Sequence, residues 1–197
     1  MQTLTSSDED LLQRAGAGDR QAAAALVRRH SSRMLGVATR MLNDAAEAED
    51  VVQDVFIRIW RAAPRWRPGQ AKVSTWMFKI AVNLCLDRLR KPRMLDMDAA
   101  PETPDTAASP QDDLEAADRT RVVGDALSSL PDRQRAALTL CYFQELSNIE
   151  AAEVLDVSVD ALESLLARGR RSLRAALQDQ KGALLGESSL GASKTGR

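Results

Sequence analysis

The chain has few of the residues that most often carry chemistry. Its 197 residues include one histidine, two cysteines and one tyrosine. Cys85 and Cys141 lie far apart in apolar, helix-patterned surroundings, with no CxxC pair and no Cys/His cluster. That distribution supports neither a disulfide framework nor a zinc site. The lone histidine, His30, sits in the basic run VRRHSSR, where a solvated or phosphate-facing role is expected in preference to a catalytic one. A glycine-rich phosphate loop, a nucleophile motif and metal-ligand spacing are all missing. No catalytic residue, metal or cofactor is therefore expected. No apolar run approaches the roughly 18–20 residues that span a bilayer. The N-terminus, MQTLTSSDEDLLQ, lacks the cationic start and apolar centre of a signal peptide. These absences point to a soluble, cytoplasmic chain without membrane insertion. Strand alternation is wanting too, and the apolar spacing is helical nearly throughout.

The net charge of −1 is small, but it conceals strong segregation. Residues 8–54 hold nine acids and six bases, and residues 92–118 hold eight acids against Arg93 alone. Between them, residues 55–91 carry nine Lys and Arg against one acid, Asp87. The same stretch holds Phe56, Trp60, Trp66, Trp76 and Phe78, which include all three tryptophans. Cations follow a phosphate backbone, and aromatic faces stack on bases that have left the duplex. The mixture points to DNA opening or single-stranded nucleic acid, with the acidic segments left for protein partners.

The spacing predicts helices over 8–16, from about Asp19 to Leu42, over about 46–62, and from about Ser74 to just before Pro92. Pro64 and Pro68-Gly69 break the chain between the last two. Residues 93–118, with Pro101, Pro104 and Pro110 among acids and small residues, read as a flexible acidic linker. Fully extended, its 26 residues would reach about 85 Å at roughly 3.3 Å each. Helical spacing resumes near Asp118, and Pro131 opens the helix LPDRQRAALTLCYF. Ser147 and Glu150 then form a capping box for a short helix over about 147–154. After a turn at Leu155-Asp156-Val157, Ser158 caps a long helix to about Gln180. The tail from Gly182 is expected to be disordered. The fold class is all-α, with two small helical domains (8–92 and 119–181) joined by the linker and followed by the tail 182–197.

Three constellations carry the functional reading. The short helix, turn and capped second helix form a helix-turn-helix. Ser158, Asp160, Ala161, Ser164 and Arg168 are the exposed candidates at the start of its second helix. Arg168, Arg170, Arg171 and Arg174 suit phosphates. Pattern alone leaves open whether this is a DNA reader or two packed helices with a solvated basic end. On the fourth helix Trp76, Lys79, Asn83, Asp87 and Arg90 recur at helical spacing on one stripe, preceded by the basic loop 61–72. Met77, Ile80, Ala81 and Leu84 are expected to face the core. On the third helix, Val51, Val52, Val55, Phe56 and Ile59 form the apolar stripe. Its opening acids and amide are Glu47, Glu49, Asp50, Gln53 and Asp54. They serve either the helix macrodipole or a basic protein partner.

Taken together, these segments resemble the bacterial RNA polymerase sigma factors of the extracytoplasmic-function group. The resemblance covers about residues 8–92 and 119–180. DAAEAEDVVQDVFIRIW is similar to that family's core-polymerase-binding helix, and STWMFKIAVNLCLDRLRK to its promoter-melting and −10-reading segment. LSSLPDRQRAALTLCYFQELSNIEAAEVLDVSVDALESLLARGRRSL resembles its −35-reading domain. The resemblance implies that Asp50, Gln53 and Asp54 contact the β′ subunit of core RNA polymerase, whose β subunit also takes part. It implies that the loop around Trp66–Lys72, with Arg65 and Arg67, and Trp76 help separate the strands, and Lys79 is a further DNA-binding candidate. Asn83, Asp87 and Arg90 would meet the −10 bases. Ser158, Asp160, Ala161, Ser164, Arg168 and Arg171 would occupy the major groove at −35. An anti-sigma factor is a further implied partner. One departure stands out: Glu163 and Leu165 occupy positions where the family usually carries Lys or Arg. Either this face turns inward or the −35 contacts are rearranged, with Glu163 able to accept from cytosine N4. A free-standing helix-turn-helix regulator is the competing reading, and a helical phosphohydrolase using His30 a remote third.

Overall fold

The computed structural model describes residues 6–67, 69, 72–90 and 121–190, with side chains to Asp179. The linker expected over 93–118 lies outside the described residues. Among those described, every regular element is helical. The elements are α1 (Asp8–Gly16), α2 (Arg20–Leu42), α3 (Ala45–Ala62), a 3-10 turn (Ala63–Arg65) and α4 (Val73–Arg90). Then follow α5 (121–128), α6 (Asp132–Leu138), a π turn (Thr139–Phe143), α7 (Asn148–Leu155) and α8 (Val159–Leu190).

Short polar residues set the starts. Ser7 caps α1, Asp19 caps α2 and Asp44 caps α3, each accepting from a backbone N–H of the first turn. Such caps satisfy donors that have no partner inside the helix. Asn43 ends α2 in the left-handed region, with φ 53°, a conformation that asparagine tolerates well. Helices α1 to α4 pack around α2, and α6 and α7 pack on α8. The first bundle buries Leu26, Met34, Val51, Ile59, Met77 and Phe78, the second Leu127, Leu138, Leu140 and Leu162.

The two bundles lie against each other and share one continuous apolar cluster. Polar contacts join them as well. Arg135 of α6 donates to the carbonyl of Met41 at the end of α2, and to those of Ser128 and Leu130. Arg33 donates to the Gln144 carbonyl at 2.9 Å, and its guanidinium lies 4.9 Å from the centre of the Phe78 ring. Arg40 sits 4.4 Å from the centre of the Phe143 ring. Gly124 permits the close approach of α5, because a Cβ there would fall 2.8 Å from Asn43 Oδ1.

Two expectations are corrected. The helix predicted over LPDRQRAALTLCYF does not stay α-helical; its last turn widens into a π turn, closed by Gln144 N–H donating to the Thr139 carbonyl at 3.1 Å. The wider turn brings buried Gln144 to Arg33. The tail expected from Gly182 is helical as far as Leu190, and residues 191–197 lie outside the described residues. Gly182 and Gly186 each cost about 1 kcal/mol relative to alanine. The Ala183-Leu184-Leu185 run between them favours helix, and extending an existing helix needs no new nucleus.

Candidate nucleic-acid interface

Helix α3 separates its functions by face. Ala48, Val51, Val55, Phe56 and Ile59 are buried, while Glu47, Glu49, Asp50 and Gln53 are exposed and Asp54 is half-buried. Asp54 and Glu47 are not free: both accept from Arg88 of α4, at 3.1 and 2.6 Å. Arg88 is one of the nine cations of residues 55–91, which the sequence reads as following a phosphate backbone, but its guanidinium is taken up by these acids. Its partners lie 41 and 34 residues away, so only tertiary structure joins them.

On α4, Asn83, Asp87 and Arg90 are exposed, whereas Trp76 and Lys79 are half-buried. Arg90 pairs with Asp87 at 3.7 Å. Met77, Ala81 and Leu84 are buried as expected, with Ile80 half-buried beside them. Arg65 and Arg67 are exposed, and Trp66 packs partly on the core. Lys72 donates to Glu150 of α7 at 2.7 Å, and Lys79 lies 3.7 Å from Asp156 in the helix-turn-helix turn. The Lys72 hydrogen bond, with help from Ser147, lowers the Glu150 carboxyl to about 2.

The aromatic residues are less available than their number implied. Phe56 and Phe78 are core residues, and Trp60 stacks on Phe56 with ring centres 5.9 Å apart. Trp66 and Trp76 keep part of their surface. Three of the five rings are therefore taken up by packing, and the stacking argument rests on the other two. His30 is also corrected. It is 3% exposed and bonded through Nε2 to Asp8 at 2.8 Å, so it is neither solvated nor phosphate-facing. Cys85 is buried, which pushes its thiol up to about 12. Among the described residues no group of three or more His, Cys, Asp or Glu could hold a metal, and no helix is long and apolar enough to cross a membrane.

The helix-turn-helix is built by local bonds. Ser147 and Glu150 form the reciprocal capping box of α7. Asp156 makes the turn in the left-handed region with φ 55°, and Ser158 Oγ accepts from Ala161 N–H at 3.2 Å. Leu162 and Leu166 are buried. Ser158, which caps α8, and Asp160, Ala161, Ser164, Arg168 and Arg171 within it are all exposed. Glu163 is exposed and within 3.4 Å of Asn148, while Leu165 packs against the core. The face bearing Glu163 is thus not turned inward.

A capped helix-turn-helix and a second helix with exposed polar and cationic residues define an all-helical protein of the DNA-binding class. Family models of sigma-70 region 2 and sigma-70 region 4 match residues 26–93 and 120–173. The chain is 32% identical over 173 residues to the ECF RNA polymerase sigma factor SigW of Bacillus subtilis, covering 82% of this chain and 92% of that one. It is 36% identical over 168 residues to the ECF sigma factor SigM of Mycobacterium tuberculosis, covering 85% and 83%. Among solved structures it resembles CnrH in complex with the cytosolic domain of CnrY, with a TM-score of 0.67 and 26% identity over 88% of this chain and 99% of that one. The chain belongs to the extracytoplasmic-function group of sigma-70 factors. It is a transcription initiation factor that makes initiation promoter-specific.

Proposed function

We propose that the chain acts as a non-catalytic subunit in the cytoplasm, with four tasks divided between its modules. The exposed acids and amide of α3, centred on Asp50 and Gln53 with Asp54 beside them, dock on the β′ subunit of core polymerase. The loop residues Arg65, Trp66, Arg67 and Lys72, with Trp76 and Lys79 of α4, assist strand separation. Asn83, Asp87 and Arg90 contact the −10 bases. Ser158, Asp160, Ala161, Ser164, Arg168 and Arg171 of α8 read the −35 element. The module 8–92 carries the first three tasks and the module 119–181 the fourth. The binding energy of stacking, about 1–3 kcal/mol per base, offsets the few kcal/mol that each unstacked base costs.

The observation that carries this reading is that α3 and α8 each present a polar face to solvent while burying the opposite one. An anti-sigma factor is the expected regulator. The similar CnrH is held by the cytosolic domain of CnrY, and a sigma factor of the same fold from Bartonella quintana, RpoE, by the anti-sigma factor NepR.

The direct test is co-purification with core RNA polymerase followed by run-off transcription. Asp50→Arg is the informative variant, because Asp50 is exposed and makes no ion pair among the described residues. It is expected to abolish holoenzyme formation while leaving the thermal unfolding curve unchanged. Wild-type affinity in this variant would remove α3 from the polymerase interface.

A further inference from the structure

Arg88 belongs to α4, but its guanidinium is committed to α3. Nη1 donates to Glu47 Oε2 at 2.6 Å and Nη2 to Asp54 Oδ2 at 3.1 Å. The two acids stand two helical turns apart, about 10.5 Å along the axis at 1.5 Å per residue. One fork therefore spans a row of acids, where a chelating arginine would grip a single carboxylate. Asp50 lies between them on the same side of the helix. Acids three and four residues apart repel each other on a helix, and a fixed guanidinium beside them offsets that repulsion. The grip leaves room for a partner: the side chains of Glu47 and Asp54 remain 50% and 47% exposed, while that of Arg88 is only 26% exposed. Their hydrogen bonds also keep Arg88 firmly protonated.

Each acid thus has a hydrogen-bond partner that favours one orientation before any other protein arrives. Side chains ordered in advance need not lose that freedom on binding. Lysine would replace this brace only in part, because a point charge on a flexible stem meets one carboxylate at a time.

We propose that Arg88 is a positioning residue for the polymerase contact. It holds Glu47 and Asp54 on either side of Asp50 as a preformed acidic row that fits a basic surface. This rests on the reading of α3 as the polymerase-facing helix. A plain structural brace between α3 and α4 would make a different prediction. Its removal would lower stability without altering how Asp54 contributes to binding.

The test titrates full-length protein against core polymerase of the source bacterium. Arg88→Gln is expected to raise Kd about tenfold, as expected when an ordered charged contact loses its support. Arg88→Lys should recover part of that loss. In an Asp54→Asn background, Arg88→Gln should add little, because the two residues act as one unit. Wild-type affinity in Arg88→Gln, or effects of Arg88→Gln and Asp54→Asn that simply add, would overturn the proposal. Should Arg88→Gln fail to fold, the same cycle run with Arg88→Lys decides between these outcomes. Asp50→Arg, which Arg88 does not touch, separates the two levels of inference. Normal binding by Asp50→Arg sinks the polymerase-facing reading and the proposal with it. Loss of binding by Asp50→Arg beside normal binding by Arg88→Gln sinks the positioning role alone.

Discussion

Arg135 is 5% exposed, and burial lowers its pKa, yet it holds three backbone carbonyls at the join between the bundles. Hydrogen bonds from a charged donor contribute about 1.5–3 kcal/mol each, and an orphaned carbonyl carries its own desolvation cost. Arg135→Leu is expected to destabilise the protein by roughly 3 kcal/mol, allowing for partial rehydration of the freed carbonyls. A shift in the urea midpoint checks this. His30 tests the same principle through pH. Burial lowers its pKa below 6.5, with Asp8 opposing. The native state therefore binds fewer protons than the unfolded chain. Stability is fully present above pH 6.5 and declines as pH falls below it. His30→Gln should flatten that part of the stability profile. The burial of His30 was legible in principle. It lies four residues from both Leu26 and Met34, on the apolar stripe of α2, but the arginines around it in sequence drew attention to the wrong face.

At the level of elements, the sequence was most informative where local chemistry decides the outcome. The starts of α1, α2, α3, α7 and α8 follow from their capping Ser or Asp, since a cap acts within three residues. Packing was harder to read. Phe56 stands on the apolar stripe that the spacing predicts for α3, but Phe78 looks identical in sequence to a ring that stacks on bases, and only the arrangement of neighbouring helices shows that it is core. The extension of α8 to Leu190 runs against its glycine content, because the leucines between the glycines favour helix. Element α7 couples its own cap to its neighbour through Glu150. That carboxyl falls from the ordinary 4.5 to about 2, chiefly through Lys72 and then Ser147. The depressed value means a contribution present above pH 4.5 and lost as pH falls toward 2. Lys72→Met is expected to raise the Glu150 pKa only part of the way to 4.5, because the capping box remains. A carboxylate NMR titration would resolve the two contributions.

At the scale of the whole molecule, the arrangement sets a geometric condition on function. Lys72 and Lys79, read from the sequence as DNA-facing, are here paired with Glu150 and Asp156 of the helix-turn-helix. None of these partnerships could be read from the sequence, since the paired residues lie 78 and 77 positions apart. Elements at −10 and −35 lie some 25 base pairs apart, about 85 Å along B-form DNA at 3.4 Å per base pair. If the proposed −10 and −35 surfaces are the ones in use, two surfaces in contact cannot reach both at once, and engaging both elements requires the seam to part. Exposed ion pairs are individually weak, but reversing one charge converts attraction into repulsion at the same distance. Lys72→Glu is expected to raise the radius of gyration in low-salt solution scattering. Adding Glu150→Lys should restore the compact value, although α7 then loses its capping box and some stability. High salt should narrow the difference between the variants, because these charges are solvent-exposed and screened. If Lys72→Glu leaves the radius unchanged, closure belongs to Arg135 and the shared apolar cluster, and Arg135→Leu becomes the variant that opens the molecule.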